Sequence, residues 1–233
     1  MASQPTNKTP RQILAGIYAF DPNRETLGAL SYLIVENTGN ILIDCPLWED
    51  KNRQFLVEQG GVRRLFLTHR GGIGKQVKQM QDFLSCEVII QEQESYLLPD
   101  VVKTTFENQI EIFPGYLGLW TPGHSPGSAC LYYRKSGGVL FSGRHLLPNP
   151  EGELGALRNE KTFHWPRQLK SVAFLKERFS QDDLAFIIPA ANTGYLRGKG
   201  YFDNAYNALV KLGNPSVTSI RDNKEKKDST IIS

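Results

Sequence analysis

The sequence lacks long hydrophobic runs, has few cysteines, and shows little excess of either charge. No segment approaches the roughly 20 apolar residues that a membrane-spanning helix needs, and the N-terminus lacks the apolar core of a secretory signal, so we expect a cytoplasmic protein without a membrane span. The 3 cysteines, Cys45, Cys86 and Cys130, are an odd number at wide spacing, which fits neither a disulfide framework nor a paired-cysteine zinc site. A net charge of +3 does not indicate a nucleic-acid partner.

The remaining composition predicts one globular domain. The chain has 233 residues, of which 40% are hydrophobic, enough for a sizeable core. Residues 1–10 are polar with two prolines, and residues 223–228 are a charge run without apolar periodicity. We therefore expect a disordered N-terminal segment over residues 1–10, a domain over residues 11–213 and a flexible polar tail over residues 214–233.

Short apolar segments separated by turn residues predict strands, and two groups of strands alternate with helices. Residues 28–35 and 41–44 flank a turn and predict a hairpin. Apolar residues at helical spacing predict a helix over residues 74–84. The further predicted strands are residues 64–68, 87–90, 109–113, 118–121, 128–133, 138–142 and 185–188, and the further predicted helices are residues 167–179 and 203–212. This order predicts an α/β fold, a four-layer αββα sandwich.

Five segments in order carry a resemblance to a known family. They are residues 41–45 (ILIDC), 65–74 (LFLTHRGGIG), 121–128 (TPGHSPGS), 141–145 (FSGRH) and 189–192 (PAAN). Together they resemble the metallo-β-lactamase superfamily, whose members have this sandwich fold. The resemblance implies one or two metal ions, usually zinc, held by histidines and aspartates of these loops, and a metal-activated water that attacks the substrate.

Most positions that the resemblance assigns to metal ligands carry residues that cannot bind a metal. His69 and His124 are retained. In place of the other ligands stand Gly71, Ile73, Gly74, Arg144 and either Ala191 or Asn192. Because a guanidinium stays protonated and repels a divalent cation, Arg144 argues against a second metal ion. We therefore expect that the dinuclear hydrolytic centre is lost.

The leading hypothesis is a remnant pocket that binds a small anionic ligand, such as phosphate or a carboxylate, or a protein partner. Its predicted residues are Asp44, Cys45, His69, Arg70, Gly71, Gly72, His124, Arg144 and Asn192. Within it, Asp44 is expected to pair with Arg144 or Arg70, whose charge would replace that of the missing cation. No cofactor is favoured.

Two alternatives remain from the sequence. In the first, a register shift brings His145 to His69 and His124, and one weakly held ion such as zinc makes the protein a mononuclear hydrolase of the thioesterase or glyoxalase type. In the second, the protein is a structural or regulatory subunit, and its surface carries the function.

Four further features have both a functional and a structural interpretation. The segment around Ser125 matches the G-x-S-x-G pattern of serine hydrolases, but Pro126 lacks the N–H that an oxyanion hole needs. Residues 71–75 (GGIGK) resemble a phosphate loop without its full spacing, and glycines that merely fill a turn explain them as well. Cys45 is expected to be a buried thiol and His164 to pack before a helix.

Overall fold

The computed structural model describes residues 9–212. Most of the two terminal segments predicted above lies outside the described residues. Among the described residues, no helix is both long enough and apolar enough to cross a membrane.

The first sheet has seven strands that lie side by side in chain order. Its strands are β1 (Arg11–Leu14), β2 (Ile17–Ala19), β3 (Tyr32–Ile34), β4 (Ile41–Ile43), β5 (Arg64–Leu67), β6 (Glu87–Gln91) and β7 (Lys103–Phe106). Strands β1 to β4 are antiparallel neighbours, whereas β4 to β7 run parallel. The predicted hairpin is confirmed as β3 and β4.

The second sheet has five strands in the order β14-β11-β10-β9-β8. Its strands are β8 (Gln109–Phe113), β9 (Tyr116–Trp120), β10 (Ala129–Tyr133), β11 (Val139–Gly143) and β14 (Phe186–Pro189). Strands β11 and β14 run parallel, and the other neighbours are antiparallel. A separate small ribbon pairs β12 (Leu147–Pro148) with β13 (Leu154–Gly155).

Four α-helices cover the outer faces of the sheets in the described part of the chain. They are α1 (Asp50–Glu58), α2 (Val77–Leu84), α3 (Trp165–Arg178) and α4 (Ala205–Lys211). Leu56 of α1 and Met80 of α2 pack on the first sheet, and Leu175 of α3 and Leu209 of α4 pack on the second. The predicted αββα sandwich is thereby confirmed.

Alternation of side chains along the central strands builds the layers. In β5, Phe66 points into the core between the sheets, whereas Leu65 and Leu67 point toward α1 and α2. In β11, Phe141 likewise faces the other sheet, while Leu140 faces α3 and α4. A strand covered on both faces needs apolar residues at every position, which explains its continuous hydrophobic run.

The structure differs from the sequence predictions where the apolar signal is weak. Helix α1 was not predicted, because its buried residues are only Asn52 and Leu56. Strand β7 was not predicted, because Phe106 is its only buried residue. Helix α2 begins at Val77, three residues later than predicted, because a 3₁₀ turn over Arg70–Gly72 and the following loop take up the glycines.

The fold places five chain segments at one edge of the sandwich. Strands β4, β5, β11 and β14 all end there at their carboxyl ends, since β4 runs parallel to β5 and β11 runs parallel to β14. The loop between β9 and β10 contributes the fifth segment, with Ala129 hydrogen-bonded to Thr68 of the neighbouring sheet. These are the five segments that carried the resemblance.

The two sheets approach each other closely at Gly118, so a substitution there tests how tightly the core is packed. A side chain at Gly118 would lie 2.8 Å from a ring carbon of Phe66, across the core. Replacing Gly118 with alanine should therefore overpack the core and lower the free energy of unfolding by about 1–3 kcal/mol. Urea denaturation followed by circular dichroism measures this loss.

Gly194→Ala is the matched control, because nothing lies within 4 Å of a Cβ there. Its unfolding free energy should stay within about 0.5 kcal/mol of the parent protein. Equal stability of the two variants would contradict a close contact between Gly118 and Phe66.

Candidate functional site

Asp44 forms the floor of the site. It follows β4 with φ of 56°, a left-handed conformation that turns its side chain toward β5. Its Oδ1 accepts the backbone N–H of Thr68 at 2.8 Å, and its Oδ2 accepts the Thr68 hydroxyl at 2.6 Å. Burial raises the pKa of the Asp44 carboxyl to about 7, although these hydrogen bonds and the positive charge of Arg144 oppose the shift.

The Thr68 hydroxyl links Asp44 to His69. Thr68 Oγ1 lies 2.8 Å from Nδ1 of His69. When Asp44 is ionised, the single hydroxyl proton goes to the carboxylate, so Thr68 accepts the Nδ1 proton of His69. His69 Nε2 then carries a lone pair and no proton, and this buried atom has no hydrogen-bond partner among the described residues.

Two more histidines, His124 and His145, lie in the segments at this edge, and all three are buried. The rings of His69 and His124 contact edge to face, with centroids 5.4 Å apart. Burial lowers the pKa of His69 well below its usual value, that of His124 to about 4 and that of His145 to about 3. The three rings are therefore neutral at pH 7.

The glycine turn after β5 packs directly on this network, at Gly71, which is a lost ligand position, and at Gly72 beside it. A Cβ at Gly72 would lie 2.3 Å from Asp44 Oδ1, and a Cβ at Gly71 would lie 2.9 Å from His69 Nε2. The N–H groups of Gly72 and Ile73 are bonded to carbonyls within the turn. Because these N–H groups are already bonded, they support the interpretation that the glycines fill a turn and not the interpretation that they form a phosphate loop.

A cavity of about 250 Å³ lies above this floor. It is lined by Leu27, Arg70, Gly71, His124, Arg144, Glu160, Lys161, Thr162 and Phe163. The lining thus has three cationic side chains and one carboxylate. The cavity is where the resemblance places the metal ions.

The predicted pairing of Asp44 with an arginine is not found. Arg144 instead donates from Nη2 to the carbonyl of Leu27 at 2.7 Å and, more weakly, to that of Thr26 at 3.4 Å. Among residues 9–212, no ion pair joins Asp44 to Arg144 or Arg70, because Thr68 already occupies both oxygens of the carboxylate. Arg144 therefore ties the loop before β3 to the site.

The other predicted pocket residues divide into two groups. Arg70, Gly71, His124 and Arg144 line the cavity, whereas Asp44, His69 and Gly72 lie buried beneath it.

Two predicted residues lie elsewhere. Cys45 packs among apolar side chains of the α1 and α2 layer, which raises the pKa of its thiol. Asn192 is exposed, and its side chain turns toward the carbonyl of Pro148 at 3.4 Å, so it lies outside the cavity lining.

The structure also gives Ser125 and His164 structural roles, as the sequence predicted. Ser125 is fully buried, and its Oγ bonds to that of Ser128 at 2.9 Å. A strand rather than a helix follows it, so it is not an exposed nucleophile. His164 is the N-cap of α3, where its Nδ1 accepts the N–H of Arg167 at 3.2 Å.

The donor atoms do not fit a dinuclear metal centre. Within the described part of the chain, no group of three or more His, Cys, Asp and Glu side chains is arranged to hold a metal ion. His69 and His124 are in contact, but His145 does not join them in such a group. The guanidinium of Arg144 stands in place of a carboxylate, and two neutral histidines alone make a weak zinc site.

Sequence reasoning missed several residues of the site. Thr68 belongs to one of the five segments but was not predicted as a site residue. Its place directly before His69 at a strand end could have indicated its role. Glu94 lies buried at the site, where it accepts the N–H of Gly127 at 3.2 Å, and no pattern around it signals this. Leu27, Lys161 and Phe163 come from loops whose approach only the fold reveals.

The raised pKa of Asp44 predicts that the buried carboxyl lowers the stability of the fold as pH rises. Because the carboxyl holds its proton more tightly in the folded state, its contribution to stability falls as pH rises from the unfolded value near 4 to about 7. Asp44→Asn keeps a residue that tolerates the left-handed conformation and keeps hydrogen-bonding groups, but it cannot ionise. The stability of the variant relative to the parent should rise by about 2–3 kcal/mol between pH 5 and pH 8.

Urea denaturation of both proteins across this pH range measures the difference. Asp82→Asn, at a largely exposed carboxylate on α2, should give a difference that hardly changes with pH. If the difference in stability between Asp44→Asn and the parent does not change with pH, the pKa of the buried Asp44 carboxyl is not raised.

Comparisons with known proteins agree with the fold. Residues 74–190, just over half of the chain, match the family model of the metallo-beta-lactamase superfamily. No match is found among curated proteins. Similar solved structures include a metallo-beta-lactamase family protein from Thermus thermophilus, with 19% identity over 85% of this chain and 78% of that chain and a TM-score of 0.59.

Two metallo-beta-lactamase-fold structures cover still more of the chain. VMB-1 is similar with 13% identity over 87% of this chain and 94% of that chain and a TM-score of 0.65. A metallo-beta-lactamase of Cronobacter sakazakii with a HARLDQ motif shares 14% identity over 87% of this chain and 94% of that chain, with a TM-score of 0.59. At such identities the structures support the fold alone. From the family match, the chain belongs to the metallo-β-lactamase superfamily.

Proposed function

We propose that this protein binds a small anion, a phosphate or a carboxylate, in the cavity above the Asp44 floor and has lost the dinuclear hydrolytic centre. The observation that carries the proposal is the convergence of Arg70, Arg144 and Lys161 on one cavity, where the superfamily pattern has metal ligands. Arginine and lysine are the side chains that bind phosphate and carboxylate groups.

The neighbouring groups suit an anion rather than a cation. His124 is neutral at pH 7 because its pKa is lowered to about 4, so its ring can donate one N–H without bringing a charge. Arg144 lines the cavity, and its Nε is buried without a hydrogen-bond partner among residues 9–212. Glu160 alone brings negative charge to the lining.

The size of the cavity favours a small ligand over a protein partner. A volume of about 250 Å³ accommodates a compact molecule, and the cations line this space. The mononuclear hydrolase is less well supported, because it needs His145 to join His69 and His124 as ligands beside two guanidinium groups.

Isothermal titration calorimetry with inorganic phosphate and with acetate tests the proposal. Arg70 is the best residue to change, because it is exposed and its side chain makes no hydrogen bond to the rest of the described chain. We expect Arg70→Gln to fold normally and to weaken the binding of these anions about tenfold, as loss of a hydrogen bond to a charged group does.

Arg134→Gln is the control, since Arg134 is also exposed and lies outside the cavity lining. Binding by the parent should also weaken as salt is raised, because solvent ions screen the charges of a partially open cavity. If neither phosphate nor acetate binds the parent, or if the two variants bind alike, the proposed function is wrong.

A further inference from the structure

Two apolar side chains line the same cavity as the cations. Leu27 is 57% exposed and Phe163 is 51% exposed, and both contribute to the wall that holds Arg70 and Arg144. Single exposed apolar residues are common on protein surfaces. Here, however, two of them flank a charged cavity, which brings apolar and cationic groups within reach of one small molecule.

The fold keeps Leu27 in place at an energetic cost. Leu27 has φ of 57° and ψ of 36°, a left-handed conformation that is unfavourable for a large side chain. Its N–H donates to the carbonyl of Arg24 at 3.3 Å, and its own carbonyl accepts Arg144 Nη2 at 2.7 Å. An unfavourable backbone conformation that the surroundings enforce is a feature of binding sites.

The loop before β3 that carries Leu27 is held at several points. Asn23 Oδ1 accepts the N–H of Glu25 at 2.9 Å, and Asn23 Nδ2 donates to the carbonyl of Cys45 at 3.1 Å. The N–H of Leu30 closes the loop on the carbonyl of Ala190 at 2.8 Å. The loop thus holds an apolar side chain at the cavity instead of folding it into the core.

Phe163 is held at the cavity by the histidine loop. Its N–H donates to the carbonyl of His124 at 3.0 Å, and the N–H of His164 donates to that of Gly123 at 2.9 Å. These bonds tie the segment before α3 to the loop that carries His124. The ring therefore stays beside the neutral imidazole and the guanidinium groups.

We infer that the ligand is an amphipathic anion, with a carboxylate or phosphate head on Arg70, Arg144 and Lys161 and a short apolar chain against Leu27 and Phe163. This inference rests on the proposed anion-binding function and adds the chemical class of the ligand. It gives the apolar surface at the cavity a use that anion binding alone does not require.

Calorimetry with a chain-length series tests the inference. Butyrate, hexanoate and octanoate share one head group, as do methyl phosphate and hexyl phosphate, so each series varies only the apolar part. If each added methylene is half-buried, the affinity should rise about twofold per methylene, and octanoate should bind about sixteenfold more tightly than butyrate.

Leu27→Asn and Phe163→Asn locate the effect. Asparagine tolerates the left-handed conformation of residue 27, so the loop should keep its shape. Both variants should lose most of the chain-length dependence, and circular dichroism spectra that match that of the parent show that they fold. Phe174→Asn, at a position on α3 that is 39% exposed and outside the lining, should keep the dependence.

The outcomes separate the two proposals. If phosphate and butyrate bind but octanoate binds no more tightly, the amphipathic ligand is wrong and anion binding stands. If chain-length dependence persists in both Leu27→Asn and Phe163→Asn, the apolar chain binds elsewhere and the inference is again wrong. If no anion of either series binds the parent, both proposals fail.

Discussion

The site depends on the pair of hydrogen bonds that Asp44 accepts from Thr68. They join the end of β4 to the end of β5 beneath the cavity, and they use both carboxylate oxygens. The filled space around Asp44 leaves room only for glycine at position 72. The Thr68 hydroxyl in turn orients the His69 ring. One buried carboxylate therefore determines both the backbone turn at position 72 and the orientation of the His69 imidazole.

Because both oxygens of the Asp44 carboxylate are bonded to Thr68, the carboxylate does not pair with the cationic side chains that line the cavity. The carboxylate is satisfied by a neutral hydroxyl and a backbone N–H, and Arg144 is therefore available to hold Leu27 and to face the cavity. The histidines beneath remain neutral because burial lowers their pKa values. The result is a cavity whose fixed charges are mainly cationic at its wall, which is the reverse of a site that holds a divalent cation.

The fold was predictable from the sequence because its central strands are covered on both faces. Continuous apolar runs such as residues 41–43 and 65–67 leave little choice of structure, and the order of the motifs supplied the superfamily. Elements with few buried residues, such as α1 and β7, lack this signal. Segment boundaries also shifted where glycines precede α2.

The site was only partly predictable, for geometric reasons. His69, His124, Arg70 and Arg144 follow from motif positions in the loops at strand ends. Whether Asp44 bonds to Thr68 or to an arginine depends on distances of a few ångströms. The spacing of residues along the sequence does not give such distances. Leu27, Lys161 and Phe163 reach the cavity from loops far apart in the chain, so their meeting is a property of the fold.

The metal content of the purified protein shows whether the remaining donor atoms hold a metal ion. Elemental analysis after purification without chelator and dialysis against buffer containing trace zinc, iron and manganese measures the ions bound per chain. The lost donor set predicts fewer than about one ion per ten chains. A value near one ion per chain, abolished in both His69→Ala and His124→Ala, would show that the histidines still hold a metal ion and would support a mononuclear metal site.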